Sequence, residues 1–181
     1  MALPGNGAPL LPRARVLVGA AGDVNDDFAA AREFGLGVEV QHFAMPPPLG
    51  KDWRPEAERI LPILQTLRGP LGLHGAFIDT VHTSPDPAVR ALARDRYIES
   101  MDIAAYLGAR YVVLHSQFNT ALRLPEYAAA YRAASLAFWP ELIEEAMDRN
   151  LTLYLENMFD ESPEPIAEVV AAMNHPALRV C

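Results

Sequence analysis

Three short apolar segments of the sequence each carry, near their ends, one side chain that can bind a metal ion. In chain order the segments are LGLHGAF (71–77), YVVLHSQ (111–117) and LTLYLEN (151–157). Their metal-binding side chains are His74, His115 and Glu156. Polar groups of this kind lose hydration when they are buried, so they need partners. Two imidazoles and a carboxylate are a standard ligand set for a catalytic divalent metal, which predicts a metal site if the fold brings them together.

These segments belong to a regular alternation of apolar runs and helical patterns. Strands are predicted at 14–20, 37–43, 71–77, 111–117, 151–157 and from Leu178 onward. Helices are predicted at 23–35, 55–67, 87–107, 125–149 and 163–173. The proline-rich stretch AMPPPLGKDW (44–53) is predicted to be a loop. Strands that alternate with helices of this length indicate right-handed βαβ units and a parallel sheet.

The predicted helix at 87–107 has the clearest boundaries. Asp86 can act as its N-cap, Pro87 suits the first helical position, and Gly108 can end it. The 3.6-residue period predicts one buried stripe formed by Val89, Leu92, Ala93, Tyr97, Met101, Ala104 and Leu107. The helix at 125–149, by contrast, is predicted to break or kink before Pro140, because proline cannot donate the helical hydrogen bond.

Two α/β architectures fit a parallel sheet of this kind: an open doubly wound sheet and a (β/α)8 barrel. The first turn, VGAAGDVND, contains Gly19 and Gly22 but not the G-x-G-x-x-G of a dinucleotide site, and there is no Walker-type phosphate loop. Polar residues at the strand ends favour the barrel, whose active sites lie where the carboxyl ends of the strands meet. We therefore predict an incomplete α/β fold of the (β/α)8 TIM-barrel type, with about five and a half βα units.

The segment 151–157 predicts which face of the sheet carries the polar groups. Its residues alternate between an apolar set, Leu151, Leu153 and Leu155, and a mixed set, Thr152, Tyr154 and Glu156. The leucines are expected to pack against helices and the mixed set to face the barrel axis. Because the ends of adjacent strands converge on one mouth, His74, His115 and Glu156 are predicted to be neighbours.

Five further residues are candidates for the substrate site: Glu39, Trp53, Phe77, Gln117 and Asn157. Trp53 and Phe77 carry rings that can stack on a ring-shaped substrate, although apolar packing explains them equally well. Gln117 and Asn157 can orient the metal ligands or simply hydrate the mouth.

The other histidines are predicted to lie outside the site. His42 has the opposite parity to Glu39 and Gln41, so the three cannot all face the axis, and we interpret His42 as structural. His82 and His175 fall in loop or helix-end contexts and are expected to be solvated.

Composition excludes several other classes of protein. The 181 residues are 51% hydrophobic, which allows a substantial core, yet no run approaches the roughly 18 apolar residues of a membrane span. The formal charge of −8 opposes non-specific binding to nucleic acid or anionic lipid. The N-terminus lacks a secretion signal, and Cys181 is the only cysteine. We therefore predict a cytoplasmic protein without a membrane partner.

Four short motifs resemble the xylose-isomerase-like barrel superfamily. They are LHGAF on the third predicted strand, VVLHSQ on the fourth, YLEN on the fifth and NHPALRVC leading into the sixth. This superfamily includes sugar and sugar-phosphate isomerases and epimerases, and the type IV apurinic endonucleases. The resemblance covers nearly the whole chain in element order. The motifs identify the superfamily specifically but give little information about the substrate.

The resemblance also implies roles for individual residues. His74, His115 and Glu156 match metal ligands of the endonuclease type on strands three, four and five. In the epimerase branch, the glutamate that corresponds to Glu156 is both a metal ligand and a proton-transfer base. One departure is that the family's sixth strand continues past the position of Cys181 into an aspartate and a histidine. Later strands add another histidine and a glutamate, and none of these is in the sequence.

Three functions are compatible with these residues. The first is a sugar or sugar-phosphate isomerase or epimerase that uses Mn, Mg, Co or Zn. Its substrate would react through an enediolate, with Glu156 or a residue absent here moving the proton. The second is an apurinic-endonuclease-like phosphodiesterase, which the acidic charge disfavours because Lys51 and Arg54 are too few to reverse it. The third is a non-catalytic barrel protein.

The domain prediction is a loose lead-in at 1–12 followed by the N-terminal portion of a single barrel domain at 13–181. A closed barrel needs eight strands, and the sequence supplies five and the start of a sixth. Unpaired strand edges promote association, so we expect this chain alone to aggregate or form homo-oligomers and to show little catalysis. The expected ligand is a small sugar.

Overall fold

A computed structural model of the chain describes residues 17–21, 24–45, 51–158 and 160–181, and shows a six-stranded parallel sheet with helices between the strands. The strands are β1 (Leu17–Ala20), β2 (Gly37–Val40), β3 (Leu71–His74), β4 (Tyr111–His115), β5 (Thr152–Glu156) and β6 (Leu178–Val180). The helices are α1 (Val24–Phe34), α2 (Arg54–Leu64), α3 (Pro87–Leu107), α4 (Tyr127–Asp148) and α5 (Glu164–Met173). The strands lie side by side in chain order, which confirms the predicted alternation. The predicted lead-in at 1–12, and the predicted helix start at Asp23, lie outside the described residues.

The ends of α3 follow from its sequence. The Asp86 side chain accepts a hydrogen bond from Ala88 N at 2.8 Å, and Pro87 is the first helical residue. Gly108 ends the helix with a φ of 77°, a left-handed conformation that glycine adopts without a steric penalty.

Among the described residues, no helix is both long and apolar enough to cross a membrane.

Of the two outcomes predicted for the fourth helix, the break is wrong, because α4 runs unbroken from Tyr127 to Asp148 with Pro140 inside it. A kink before Pro140 stays a prediction. Proline removes only one helical hydrogen bond. Trp139 and Leu142 lie on either side of Pro140 and are fully buried, so their packing holds the helix through this position.

The two faces of the sheet differ in the way that the strand alternation predicts. One face packs against the helices and supplies much of the core, including Val38, Val40, Leu73, Val112, Leu114, Leu153, Leu155 and Leu178. The opposite face carries Thr152, Tyr154 and Glu156 of β5, which are all partly exposed. The predicted strand parity is therefore confirmed, and it fixes the side of the sheet on which a site can form.

An open cavity of about 450 Å³ lies against this second face, and its lining includes Glu39, Tyr111, Tyr154 and Glu156. The Tyr111 ring crosses above Gly72, where any Cβ would overlap it, and meets the Tyr154 ring edge-on at a centroid distance of 5.4 Å. Burial and the nearby Glu39 raise the pKa of Tyr111 to about 12. The phenol is therefore a neutral hydrogen-bonding group on the cavity wall at physiological pH.

Candidate metal centre

The last residues of three adjacent strands supply the predicted ligands. His74 ends β3, His115 ends β4 and Glu156 ends β5. In the β4–β5 register His115 lies opposite Glu156, and in the β3–β4 register His74 lies opposite Val113. Parallel strands present their carboxyl ends at one edge of the sheet, so the three side chains meet there.

The ligand atoms of these three residues converge to within 4.8 Å of one another. His74 Nε2 lies 3.1 Å from His115 Nε2, and Glu156 Oε2 lies 3.2 Å from His115 Nε2 and 3.7 Å from His74 Nε2. Ligands bound at about 2.0–2.1 Å to a tetrahedral ion are themselves about 3.3 Å apart. The three separations therefore match a triangle of donors around one divalent ion.

The proton positions support the same interpretation. His74 Nδ1 lies 3.1 Å from Gly75 O, and a carbonyl can only accept, so the neutral His74 ring carries its proton on Nδ1 and a lone pair on Nε2. His115 Nε2 then faces two acceptors, His74 Nε2 and Glu156 Oε2. A hydrogen on Nε2 of a neutral His115 ring satisfies one of these acceptors, and a metal ion among the three atoms would satisfy all of them.

Burial differs among the three residues. The side chains of His115 and His74 are 5% and 12% exposed, whereas that of Glu156 is 41% exposed. Burial, and then the nearby His74 ring, lower the pKa of His115, which favours the neutral imidazole that metal binding requires. The two imidazoles thus form the buried side of the site and Glu156 its open side.

Phe77, one of the predicted substrate-site residues, lies against both imidazoles. Its ring centroid is 5.3 Å from that of His115 and 6.1 Å from that of His74. Its backbone is held on both sides, because Phe77 N donates to Ala44 O at 3.2 Å and Gln117 Nε2 donates to Phe77 O at 3.2 Å. Phe77 is therefore a fixed apolar wall beside the candidate ligands.

Gln117 stands at the edge of the site, where its side chain holds a neighbouring loop. Its Nε2 donates to Phe77 O and, at 2.9 Å, to Thr80 Oγ1. Its backbone has a φ of 56°, which is unusual for a residue other than glycine, asparagine or aspartate. Both amide hydrogens are thus occupied, so any direct contact with substrate would fall to Oε1.

The other three candidates lie in different surroundings. Glu39 lines the cavity together with Glu156 and accepts a long hydrogen bond of 3.4 Å from Gln41 Nε2. Asn157 follows Glu156 directly and is partly buried. Trp53 meets Tyr106 of α3 edge-on at 5.5 Å, and is not among the described ring contacts of His74 and His115.

The solvated environment predicted for His82 is wrong. His82 is fully buried against α4, where its Nε2 lies 3.1 Å from Ser135 Oγ. Its ring packs against three aromatic side chains, those of Tyr131, Phe138 and Trp139. The sequence context HTSPD suggested a surface loop, but the preceding chain turns inward at Thr80, which is also fully buried.

The sequence reasoning missed two polar residues beside the site. Ser116 follows His115, and Asp160 lies shortly after β5; Ser116 Oγ donates to Asp160 Oδ2 at 2.7 Å. Burial raises the pKa of Asp160, while the hydrogen bond from Ser116 opposes this shift. The available signal was a polar residue directly after β4 and another shortly after β5, the two strands that carry His115 and Glu156.

The parallel sheet with interleaved helices, and the cluster at the carboxyl ends of its strands, define this chain as a barrel-type α/β protein. The family model described as xylose isomerase-like TIM barrel matches residues 28–181, so the chain belongs to that family. The predicted superfamily and fold class are thereby confirmed. No curated protein matches the sequence.

Similar solved structures include the TTHB071 protein from Thermus thermophilus, soaked with ZnCl2. It is 27% identical, with a TM-score of 0.72 over 92% of this chain and 64% of that one. D-psicose 3-epimerase from Clostridium cellulolyticum H10, solved with D-tagatose, is 13% identical, with a TM-score of 0.71 over 92% and 62%. The IolI protein with a bound zinc atom is 15% identical, with a TM-score of 0.69 over 91% and 61%. The chain thus spans less than two thirds of the length of each of these proteins.

Proposed function

We propose that this chain carries the metal site of a divalent-metal-dependent sugar or sugar-phosphate isomerase or epimerase. The observation that carries the proposal is the convergence of His74, His115 and Glu156 at the carboxyl ends of adjacent strands in this family. The similarity in fold to a D-psicose 3-epimerase supports a small sugar as the substrate class. The proposal includes the predicted domain organisation, in which residues 13–181 are the N-terminal portion of a single barrel domain.

The residues of this chain have distinct parts in the proposed reaction. The buried His74 and His115 would hold the ion, because their rings are fixed by packing and, for His74, by the Gly75 carbonyl. Glu156, the most exposed of the three, borders the cavity and would also move a proton to or from the substrate. When bound, the ion would polarise the carbonyl and hydroxyl oxygens of a ketose and so stabilise the enediolate.

Substrate contacts are proposed for the residues around this cluster. Phe77 provides an apolar surface beside the imidazoles, and Glu39 provides a hydrogen-bond acceptor in the cavity next to Glu156. Asn157 and Gln117 would contact polar groups of the sugar at the mouth. A role for Trp53 in stacking on the substrate remains a prediction, since its described ring contacts are with Tyr106 and Arg54.

The donor set also favours particular metals. Imidazole nitrogen suits Zn²⁺, Co²⁺ and Mn²⁺ better than Mg²⁺, which prefers oxygen ligands. We therefore propose Zn²⁺, Co²⁺ or Mn²⁺ ahead of Mg²⁺.

The same two-histidine, one-carboxylate set supports a second candidate, a zinc-dependent phosphodiesterase, because zinc lowers the pKa of bound water toward 7. The net charge of −8 counts against a nucleic-acid substrate.

The deciding experiment measures metal content and then activity on a panel of ketoses and on an abasic DNA duplex, for the full chain and its Glu156→Gln variant. We expect one equivalent of bound metal and a low rate of ketose conversion that Glu156→Gln abolishes. Cleavage of the abasic duplex would reverse the ranking of the two enzymes. Metal binding without either activity would favour a non-catalytic barrel protein.

A further inference from the structure

The residue that follows His115 holds the chain at two points around Glu156. Ser116 N donates to Glu156 O at 2.9 Å, and Ser116 Oγ donates to Asp160 Oδ2 at 2.7 Å. Ser116 is only 2% exposed, so bulk water does not compete for these bonds. The short segment from Glu156 to Asp160 is therefore tied at both ends to one buried residue.

Ser116 is itself fixed from the side of α4. Tyr131 OH donates to Ser116 O at 2.8 Å, and Tyr131 is 2% exposed. Phe118 N donates to Ser116 Oγ at 3.2 Å. The amide, carbonyl and hydroxyl groups of Ser116 thus all have partners, which makes this residue a rigid anchor.

Glu156 is the candidate ligand that most needs such an anchor. It is the last residue of β5 that pairs with β4, and the pairing of strands opens most readily at their ends. Its side chain is also far more exposed than those of His74 and His115, so packing restricts it least. Hydrogen bonds to Ser116 are the described contacts that hold the segment after Glu156 in place.

We propose that Ser116 and Asp160 form a clamp that sets the position of Glu156 relative to His115, and thereby the metal affinity of the site. Asp160 is a positioning residue in this role, because it contacts Ser116 and is not in the cluster of three candidate ligands. This inference rests on the proposed function, since it requires the cluster to bind a divalent ion. Partners behind metal ligands commonly govern affinity in this way.

The test is a titration of the full chain with Co²⁺, whose visible absorption reports both affinity and ligand geometry. Asp160→Ala and Ser116→Ala each remove the hydrogen bond between Ser116 Oγ and Asp160, and each is expected to weaken Co²⁺ binding about 10- to 100-fold and to change the absorption spectrum. Asp160→Asn keeps an oxygen that accepts from Ser116 Oγ, so it is expected to bind within about threefold of the unsubstituted chain. The double alanine variant is expected to bind no more weakly than either single variant, because both changes remove one interaction.

Asp86→Ala is the matched control. Like Asp160, Asp86 accepts a hydrogen bond, but it does so as the N-cap of α3, where its side chain accepts from Ala88 N. Asp86→Ala is expected to lower thermal stability without changing Co²⁺ affinity. Unchanged affinity in folded Asp160→Ala and Ser116→Ala, or additive losses in the double variant, would overturn the clamp and leave the proposed function standing. If Asp160→Ala does not fold, the clamp is tested by comparing the Co²⁺ affinities of Ser116→Ala and Asp160→Asn. Absence of Co²⁺ binding by the unsubstituted chain would overturn both proposals.

Discussion

His115 and Glu156 are paired twice, once by the backbone register of β4 and β5 and once by a 3.2 Å contact between His115 Nε2 and Glu156 Oε2. The first pairing causes the second, since residues opposite each other in a parallel pair project from the same face. A slip of one residue would turn one of the two side chains toward the helices. The candidate metal site is thus as well defined as the register of the sheet.

The first prediction concerns the ligands. His74→Ala and His115→Ala should each reduce Zn²⁺ affinity by at least about 10-fold, because two remaining donors hold the ion poorly. Isothermal titration calorimetry with Zn²⁺ measures this. His175→Ala is the control, since His175 is partly exposed and its described hydrogen bond, from Ala177 N, lies outside the cluster. Equal loss in the control would show that Zn²⁺ binds histidines without selection.

The second prediction concerns Gln117, whose side chain holds the loop that carries Phe77 and whose backbone has a φ of 56°. Gln117→Ala loses both hydrogen bonds and keeps the unfavourable backbone conformation. Gln117→Gly loses the same bonds but removes the steric cost of that conformation, because glycine has no Cβ. It should therefore be about 1 kcal/mol more stable than Gln117→Ala. Urea unfolding of both variants measures the difference. Greater stability of the alanine variant would contradict the backbone argument.

The sequence predicted the fold and the cluster well because both depend on short-range patterns. Strand alternation placed Glu156 on the correct face, and equivalent positions in successive βα units placed His74 and His115 beside it. The burial of His82 and the link between Ser116 and Asp160 depend instead on how loops fold over the strand ends. No periodicity records such contacts, since each involves a residue in an irregular loop and not equivalent positions in successive strands.

The third prediction tests whether the ligand of this chain is a sugar or DNA. Binding to duplex DNA releases counterions, so a true endonuclease should bind measurably at low salt and lose affinity steeply as salt rises. With a net charge of −8 we expect no binding to an abasic duplex at low salt, measured by fluorescence anisotropy. A ketose together with Mn²⁺ or Co²⁺ should instead raise the melting temperature, because ligands that bind only the folded state stabilise it. Tight, salt-sensitive binding to the duplex would contradict this expectation.

The fourth prediction concerns the sheet edges. Within the described residues, β1 pairs only with β2 and β6 pairs only with β5. Exposed edges of a parallel sheet carry unpaired N–H and C=O groups, and such sheets are normally covered. The chain of 181 residues alone should therefore self-associate as its concentration rises, which sedimentation velocity measures. A monomer at all concentrations would refute this prediction.

The last prediction concerns the response of stability to acid. Burial lowers the pKa of His82 from 6.5 to about 3. Between these two values the unfolded chain binds a proton that the folded chain does not, so stability is fully present above pH 6.5 and falls as the pH drops toward 3. The slope from this one residue is at most about 1.4 kcal/mol per pH unit. His115, whose pKa is also lowered, acts in the same direction, so the informative quantity is a difference between variants.

His82→Gln removes the titrating ring and leaves an amide that can bind Ser135, so its free energy of unfolding should fall less between about pH 6.5 and pH 4 than that of the unsubstituted chain. Urea unfolding at half-unit pH intervals measures both curves. His175→Gln, at a partly exposed position, should keep the slope of the unsubstituted chain. Parallel curves for His82→Gln and the unsubstituted chain would mean that the buried imidazole does not promote acid unfolding, and that water reaches His82 in the folded protein.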